Sequence, residues 1–203
     1  MLYSRPFKDY ASYVQAQGGK ATYARDKLLA TTKQRTASFK RIFVDNRTRL
    51  NPGSILCLGA RTGCEVHGAL QAGFVGSIGI DLFPVQEGEL NPVVVKADWH
   101  DIPFPDGTFD NAFTNALDHC LDLNKMLSEV HRVLRSGGIF MLADPGAINK
   151  KTAKEWLAHG GNEGLFWEDP SDLTSACELL GFVTDHVAAS QGRWKFLFMR
   201  CCK

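Results

Sequence analysis

Two aspartates and a glycine-bearing loop carry the clearest chemical signal in the sequence. The short apolar run Ser54–Leu58 feeds Gly59-Ala60-Arg61-Thr62-Gly63, and a helix-like stretch follows from Cys64 to Ala72. Glycines there let a ligand approach the backbone, and a helix N-terminus favours negative charge. Tight turns without ligands use glycine as well, so the loop alone is ambiguous. Asp81 ends the next apolar run, after Gly76-Ser77-Ile78-Gly79-Ile80. Its carboxylate could accept two hydrogen bonds from a ribose diol, and charged acceptors make the stronger bonds. The competing role is an exposed aspartate that opens the turn at Phe83-Pro84. Asp98 closes a third run, before Trp99-His100-Asp101-Ile102-Pro103-Phe104, where it could accept from the exocyclic amine of an adenine.

These residues need a scaffold, and the periodicity supplies one. Short apolar runs at Ser54–Leu58, Gly76–Asp81, Val93–Ala97, Phe109–Thr114 and Ile139–Ala143 alternate with helical stretches. The clearest helix is Leu123–Arg135, with Met126, Leu127, Val130, Val133 and Leu134 as its apolar stripe and Ser136-Gly137-Gly138 as its expected end. Strands alternating with helices predict an α/β fold with a parallel sheet covered on both faces. Only Ala189-Ser190-Gln191-Gly192-Arg193 separates Phe182–Ala188 from Trp194–Cys201. That link is too short for a helical crossover, so a C-terminal antiparallel hairpin is expected. Residues 7–49 contain no proline and read as two or three helices, with a break at Gly18-Gly19. Ala37, Phe39, Ile42 and Phe43 are spaced to bury one face. The turn Asn51-Pro52-Gly53 then divides the chain into a helical cap segment, 1–50, and a ligand-binding domain, 51–203.

Length and composition agree with one α/β domain: 203 residues, 44% of them hydrophobic. No apolar run reaches the ~20 residues that span a bilayer, and the start of the chain lacks a secretory h-region. A soluble, cytoplasmic protein without a membrane partner is expected. The six cysteines, 57, 64, 120, 177, 201 and 202, form no C-x-x-C pair and no zinc spacing, so no metal is expected. Cys57 reads as a small core residue, and Cys201-Cys202 as a frayed, reduced terminus. The net charge of +1 hides an asymmetry. Residues 1–50 carry eleven Lys/Arg against three Asp/Glu, and residues 51–203 carry twelve against nineteen. A basic segment on an acidic body can recruit an anion such as nucleic acid, but spread charges more often line solvated helix faces.

The stretches ILCLGARTGCEV, GIDLFP, KADWHDIPFPDGTFDNAFTN and SEVHRVLRSGGIFML, in this order, resemble the core of class I S-adenosylmethionine-dependent methyltransferases, in the branch with small-molecule-type domains. The resemblance covers Ile55–Leu142. It implies a Rossmann-like sandwich with a mostly parallel, seven-stranded sheet and a terminal antiparallel hairpin, and S-adenosyl-L-methionine as cofactor. It further implies that Gly59, Ala60, Arg61 and Gly63 pass under the methionine portion. By the same likeness Asp81 holds the ribose hydroxyls, Leu82 packs on adenine, Asp98 accepts from adenine N6 beside the Trp99 backbone, and Thr114 and Asn115 border the sulfonium. Two positions depart from the family pattern: Cys57 stands where an acid is usual, and Arg61 replaces a glycine. Arg61 could pair with the cofactor carboxylate or form an i,i+4 surface pair with Glu65.

Methyl transfer from a sulfonium is an in-line displacement in which the protein mainly aligns the partners. An oxygen acceptor can also need a general base. Asp118 and His119 follow Asn115 and are the candidates, although Asp118 could simply begin a helix and His119 fill a helix–sheet junction. His100 and Asp101 sit nearer the adenine side. The acceptor pocket is expected from residues 1–50 and 145–170. In the former, Tyr10, Tyr13, Gln17 and Tyr23 could cap the cofactor; in the latter, Trp156, His159, Gly160-Gly161, Phe166 and Trp167 could form a lid. A small-molecule acceptor is favoured, with nucleic acid and a catalytically silent partner protein as alternatives. A nicotinamide-binding loop would need glycine where Arg61 and Cys64 stand. An amino-adenine methyltransferase would show an Asn/Asp-Pro-Pro-aromatic stretch where Thr114-Asn115-Ala116-Leu117 stands. Oligomeric state is not legible.

Overall fold

The computed structural model describes residues 2–85, 93–144, 163–167, 169–191 and 194–203. In chain order they form β1 (Leu2–Ser4), α1 (Tyr10–Ala30), α2 (Thr32–Asp45), β2 (Ile55–Leu58), α3 (Cys64–Gln71), β3 (Ile78–Asp81) and β4 (Val94–Lys96). There follow β5 (Phe109–Thr114), α4 (Leu123–Val133), β6 (Leu134–Asp144), β7 (Leu165–Trp167), α5 (Pro170–Glu178), β8 (Phe182–Gln191) and β9 (Trp194–Cys201).

Seven strands make one sheet in the order β4-β3-β2-β5-β6-β9-β8. The β2 to β6 strands are mutually parallel. The last two are antiparallel, β9 to β6 and β8 to β9. The expected mostly parallel sheet with a terminal hairpin is therefore present. The order reverses between β2 and β5: the chain steps outward from β2 to β3 and β4, then returns to β5. That switch point opens a crevice at the carboxyl ends of the strands.

Strand alternation sorts the core into two layers, one on each sheet face. Leu56 and Leu58 of β2, with Phe140 and Leu142 of β6, pack under Met126, Leu127, Val130 and Val133 of α4. Ile55 and Cys57, with Phe113, Ile139 and Met141, pack under Phe39, Ile42 and Phe43 of α2 and Val66 and Ala69 of α3. The helical segment 1–50 thus supplies part of the core through α2. A second pairing, β1 with β7 antiparallel, lies apart from the main sheet.

Three local expectations need correction. The helix does not break at Gly18-Gly19; α1 runs through both and ends at Thr31. Gly18 is tolerated because a Cβ there would stand only 3.1 Å from the Phe83 ring, so close helix packing uses the missing side chain. Ser136-Gly137-Gly138 does not end α4, which stops at Val133. The glycines instead sit in β6, where the ladder slips: Leu134 pairs with Phe109 but Ile139 with Asn111, and Gly137 has φ +76°. Cys201 is not frayed; it is buried in β9, and only Cys202 is exposed. No helix among the described residues is long and apolar enough to cross a membrane.

Candidate functional site

The β2–loop–α3 turn is built from its backbone. Gly59 N and Ala60 N both donate to Ile80 O, at 2.9 and 3.1 Å, which ties the loop to β3. Gly59 and Gly63 have φ +73° and +74°, in the left-handed region open to glycine. Gly63 then serves as the N-cap of α3. At the end of β5, Thr114 Oγ1 donates to Leu58 O at 3.1 Å and accepts from Ala116 N at 3.1 Å. These bonds hold the ends of β2 and β5 side by side.

Above them lies a cavity of about 290 Å³. Of the residues singled out from sequence, Gly59, Arg61, Asp81, Leu82, Trp99, Asn115 and His119 line it. Ala60, Gly63, Asp98, Thr114 and Asp118 are not among the residues that line it. Asp81 accepts from Phe83 N at 2.7 Å and Arg61 N at 3.2 Å, and its Oδ1 lies 3.6 Å from Arg61 Nε. Arg61 therefore pairs with Asp81 rather than with Glu65.

Asp98 is held by its neighbours. His100 Nδ1 and N donate to Oδ1 at 2.7 and 2.9 Å, and the Tyr10 hydroxyl donates to Oδ2 at 2.5 Å. His100 Nε2 accepts from Asp122 N at 3.2 Å, which leaves its proton on Nδ1 for Asp98. Burial alone would raise the Asp98 carboxyl, but the hydrogen bonds from His100 and Tyr10 outweigh it and hold it below the usual range. The partner effect on Tyr10 runs the other way. Burial and then the Asp98 carboxylate push its phenol up to about 12.

The roof is α1. Its Tyr13, Gln17, Lys20, Ala24 and Leu28 face the cavity at helical spacing. Tyr13 and Gln17 thus lie where a cap is expected, whereas Tyr10 acts on Asp98 and the side chain of Tyr23 lies outside the described residues. From the roof, Lys20 Nζ contacts His119 Nε2 and lies 3.9 Å from Glu163 Oε1. Asp118 Oδ2 stands 3.7 Å from His119 Nε2. The ligand atoms of Asp118, His119 and Glu163 fall within 4.8 Å of one another, a spacing a metal could use. The Lys20 ammonium is the cation already beside that group. Burial lowers the Lys20 pKa, opposed by Asp118 and Glu163.

Sequence reasoning did not assign Lys20, Arg35 or Glu65 to the cavity, although all three line it. The signal for Lys20 is the helical spacing from Tyr13 and Gln17. Arg35 and Glu65 meet across thirty positions, which no local pattern reveals. Of the expected lid, 145–162 with Trp156, His159 and Gly160-Gly161 lies outside the described residues. Phe166 and Trp167 are in β7, buried against the body.

The family model for a methyltransferase domain matches residues 56–142. The malonyl-[acyl-carrier protein] O-methyltransferase 1 of Coxiella burnetii is 30% identical over 142 residues, 68% of this chain and 50% of that protein. The sarcosine/dimethylglycine N-methyltransferase of Halorhodospira halochloris is 43% identical over 53 residues, 26% and 19% of the two chains. The matches thus span half or less of these relatives' lengths. In fold, the chain is similar to the Burkholderia thailandensis 1,6-didemethyltoxoflavin-N1-methyltransferase solved with 1,6-didemethyltoxoflavin and S-adenosylhomocysteine. The TM-score is 0.67 at 15% identity, over 99% of this chain and 94% of that one.

Proposed function

We propose that the chain, whose residues 56–142 match a methyltransferase domain, is a class I S-adenosylmethionine-dependent methyltransferase that moves a methyl group from this cofactor to an oxygen or nitrogen atom of a small molecule. The observation that carries the reading is the cavity at the switch point, where Gly59 and Asp81 face the same space. The residues fit the cofactor. A Cβ on Gly59 would stand 3.0 Å from Ala116 Cβ, so bare backbone is needed there. Asp81 offers a carboxylate to a ribose diol, and Ile80, Leu82 and Ala97 give a purine an apolar wall.

In this reading Gly59, Ala60, Arg61 and Gly63 carry the methionine portion, while Asp81 and Leu82 carry ribose and adenine. Trp99 borders the adenine, and Asp98 reaches its amine only by exchanging the Tyr10 hydroxyl. Thr114 and Asn115 border the reacting end. Residues 1–50 act as a cap on the domain 51–203, with the α1 stripe as a roof that favours a small acceptor over a polymer. When bound, the cofactor supplies an electrophilic methyl carbon on a good leaving group. The residues around it align and exclude water, which accounts for much of the rate in such displacements.

His119 takes the acceptor proton where one must leave. Its Nε2 is engaged by Lys20 at rest, so acceptor entry shifts the ammonium toward Glu163 and frees that nitrogen. Asp118 then stands close enough to balance the imidazolium.

The test is thermal. A ligand at about 100 times its Kd stabilises by roughly 2.7 kcal/mol, or roughly 5–10 °C at this size. S-adenosylmethionine should give such a rise, and Asp81→Ala should remove most of it. No rise at millimolar cofactor rejects the reading. Binding without methyl transfer across a broad acceptor panel would instead favour a silent binding protein. RNA binding that steepens with falling salt would favour a nucleic-acid acceptor.

A further inference from the structure

Two carboxylates line the cavity, Asp81 and Glu65. Each Asp81 oxygen already has a partner, accepting a backbone N–H group from Phe83 or Arg61, with Arg61 Nε 3.6 Å away, and keeps acceptor capacity for a diol. Glu65 differs. Its side chain is 3% exposed, Oε1 accepts from Arg35 Nη2 at 3.1 Å, and Oε2 has no hydrogen-bond partner among the described residues. A buried, half-satisfied carboxylate is costly unless something cationic reaches it. Burial raises its pKa, with the Arg35 charge pulling the other way. Beneath it in β2 lies Cys57, fully buried, so that strand offers no acid to this end of the cavity.

We propose that Glu65, carried by α3 and oriented by Arg35 of α2, receives the ammonium group of the cofactor's amino-acid end through its free Oε2. The inference rests on the reading of the cavity as an S-adenosylmethionine site. The chemistry of that end is an ammonium beside a carboxylate. The wall that presents Glu65 also presents Arg35 and Arg61, so both signs of the zwitterion find an opposite charge. The acid absent at Cys57 is in this way supplied from the first turn of the following helix. Arg35 is a positioning residue: it uses one carboxylate oxygen and leaves the other, buried at the cavity wall, without a hydrogen-bond partner among the described residues.

The experiment compares three ligands by isothermal calorimetry on the full chain and on Glu65→Gln. S-adenosylhomocysteine carries the ammonium without the sulfonium, S-adenosylmethionine carries both, and 5′-methylthioadenosine carries neither. A charge-assisted hydrogen bond of this kind corresponds to about a ten- to hundredfold change in Kd. Glu65→Gln should weaken S-adenosylhomocysteine and S-adenosylmethionine by that factor while 5′-methylthioadenosine binds as to the unaltered chain. Retained 5′-methylthioadenosine binding also shows that the variant is folded. Equal loss for all three ligands overturns the proposal, because the effect is then on the fold. No loss for any, or loss for S-adenosylmethionine alone, overturns it too; the latter would aim Glu65 at the sulfonium. If the unaltered chain binds none of them, the cofactor reading itself fails, an outcome separate from these.

Discussion

Gly59 holds φ +73°, and a Cβ on it would meet Ala116 Cβ at 3.0 Å and the Trp99 ring at 3.4 Å. Gly59→Ala therefore combines left-handed strain with overpacking, costing about 1–3 kcal/mol of stability. Because the added methyl also enters the cavity wall, cofactor affinity should fall with it; urea titration and calorimetry on the one variant check both. At this scale the sequence was informative at the ends of two strands, although not at Asp98, which is outside the cavity lining. Asp81 and Asn115 could be placed from the apolar runs before them, and both line the cavity. Glu65 could not. Four positions after Arg61 it looks like half of a surface pair, and only the fold reveals that α2 brings Arg35 to it while Arg61 turns to Asp81.

Among the elements, α4 and the loop after β4 show why two distant sequence stretches occur together. Glu129 accepts from Ile102 N at 2.7 Å and from Arg132 Nε and Nη2 at 2.8 Å each. Arg132 donates in turn to the carbonyls of Phe104 and Ile102, both at 2.8 Å, and to Asp106 at 2.9 Å. The helix thereby fastens the loop that carries Asp98 and Trp99. The Arg132 hydrogen bonds hold the Glu129 carboxyl below its usual 4.5. A depressed carboxyl adds stability above its unfolded pKa and loses it as pH falls through the folded one. Glu129→Gln should thus cost about 1–3 kcal/mol at pH 7 and progressively less as the pH drops below 4.5. Urea unfolding at several pH values measures this; an equal loss at every pH would reject the ionic role. Element types were legible from period, but α1 and β6 were not bounded correctly. In both, glycines that read as stops serve packing and register instead.

Across the whole molecule the two apolar layers share one sheet, with Phe113 of β5 in one and Phe140 of β6 in the other. The strands adjoin, Ala112 pairing with Phe140 and Phe113 with Met141, so neither layer can melt alone. Phe113→Ala and Phe140→Ala should each cost about 3–5 kcal/mol, and each should shift one transition that fluorescence and circular dichroism report at the same denaturant concentration. Separate transitions would mean that the layers are independent. Strand direction and the hairpin followed from link lengths in the sequence. The pairing of β1 with β7 did not, since three residues carry too little pattern to name a partner over such a separation.

That small pairing has a bearing on timing. β1 joins residues 165–167, Arg5 N donates to Gly164 O at 2.8 Å, and Gly164 N donates to Asp118 O at 2.7 Å. The roof helix that follows β1 is thus tethered at its start to the strand beside His119 and at its end to α2 through Thr31. On the proposed function, a spent cofactor that left past Tyr13 and Gln17 would need one of these tethers to yield. Residence time, and with it the pace of turnover, would then belong to a latch of three residues as much as to the site it closes.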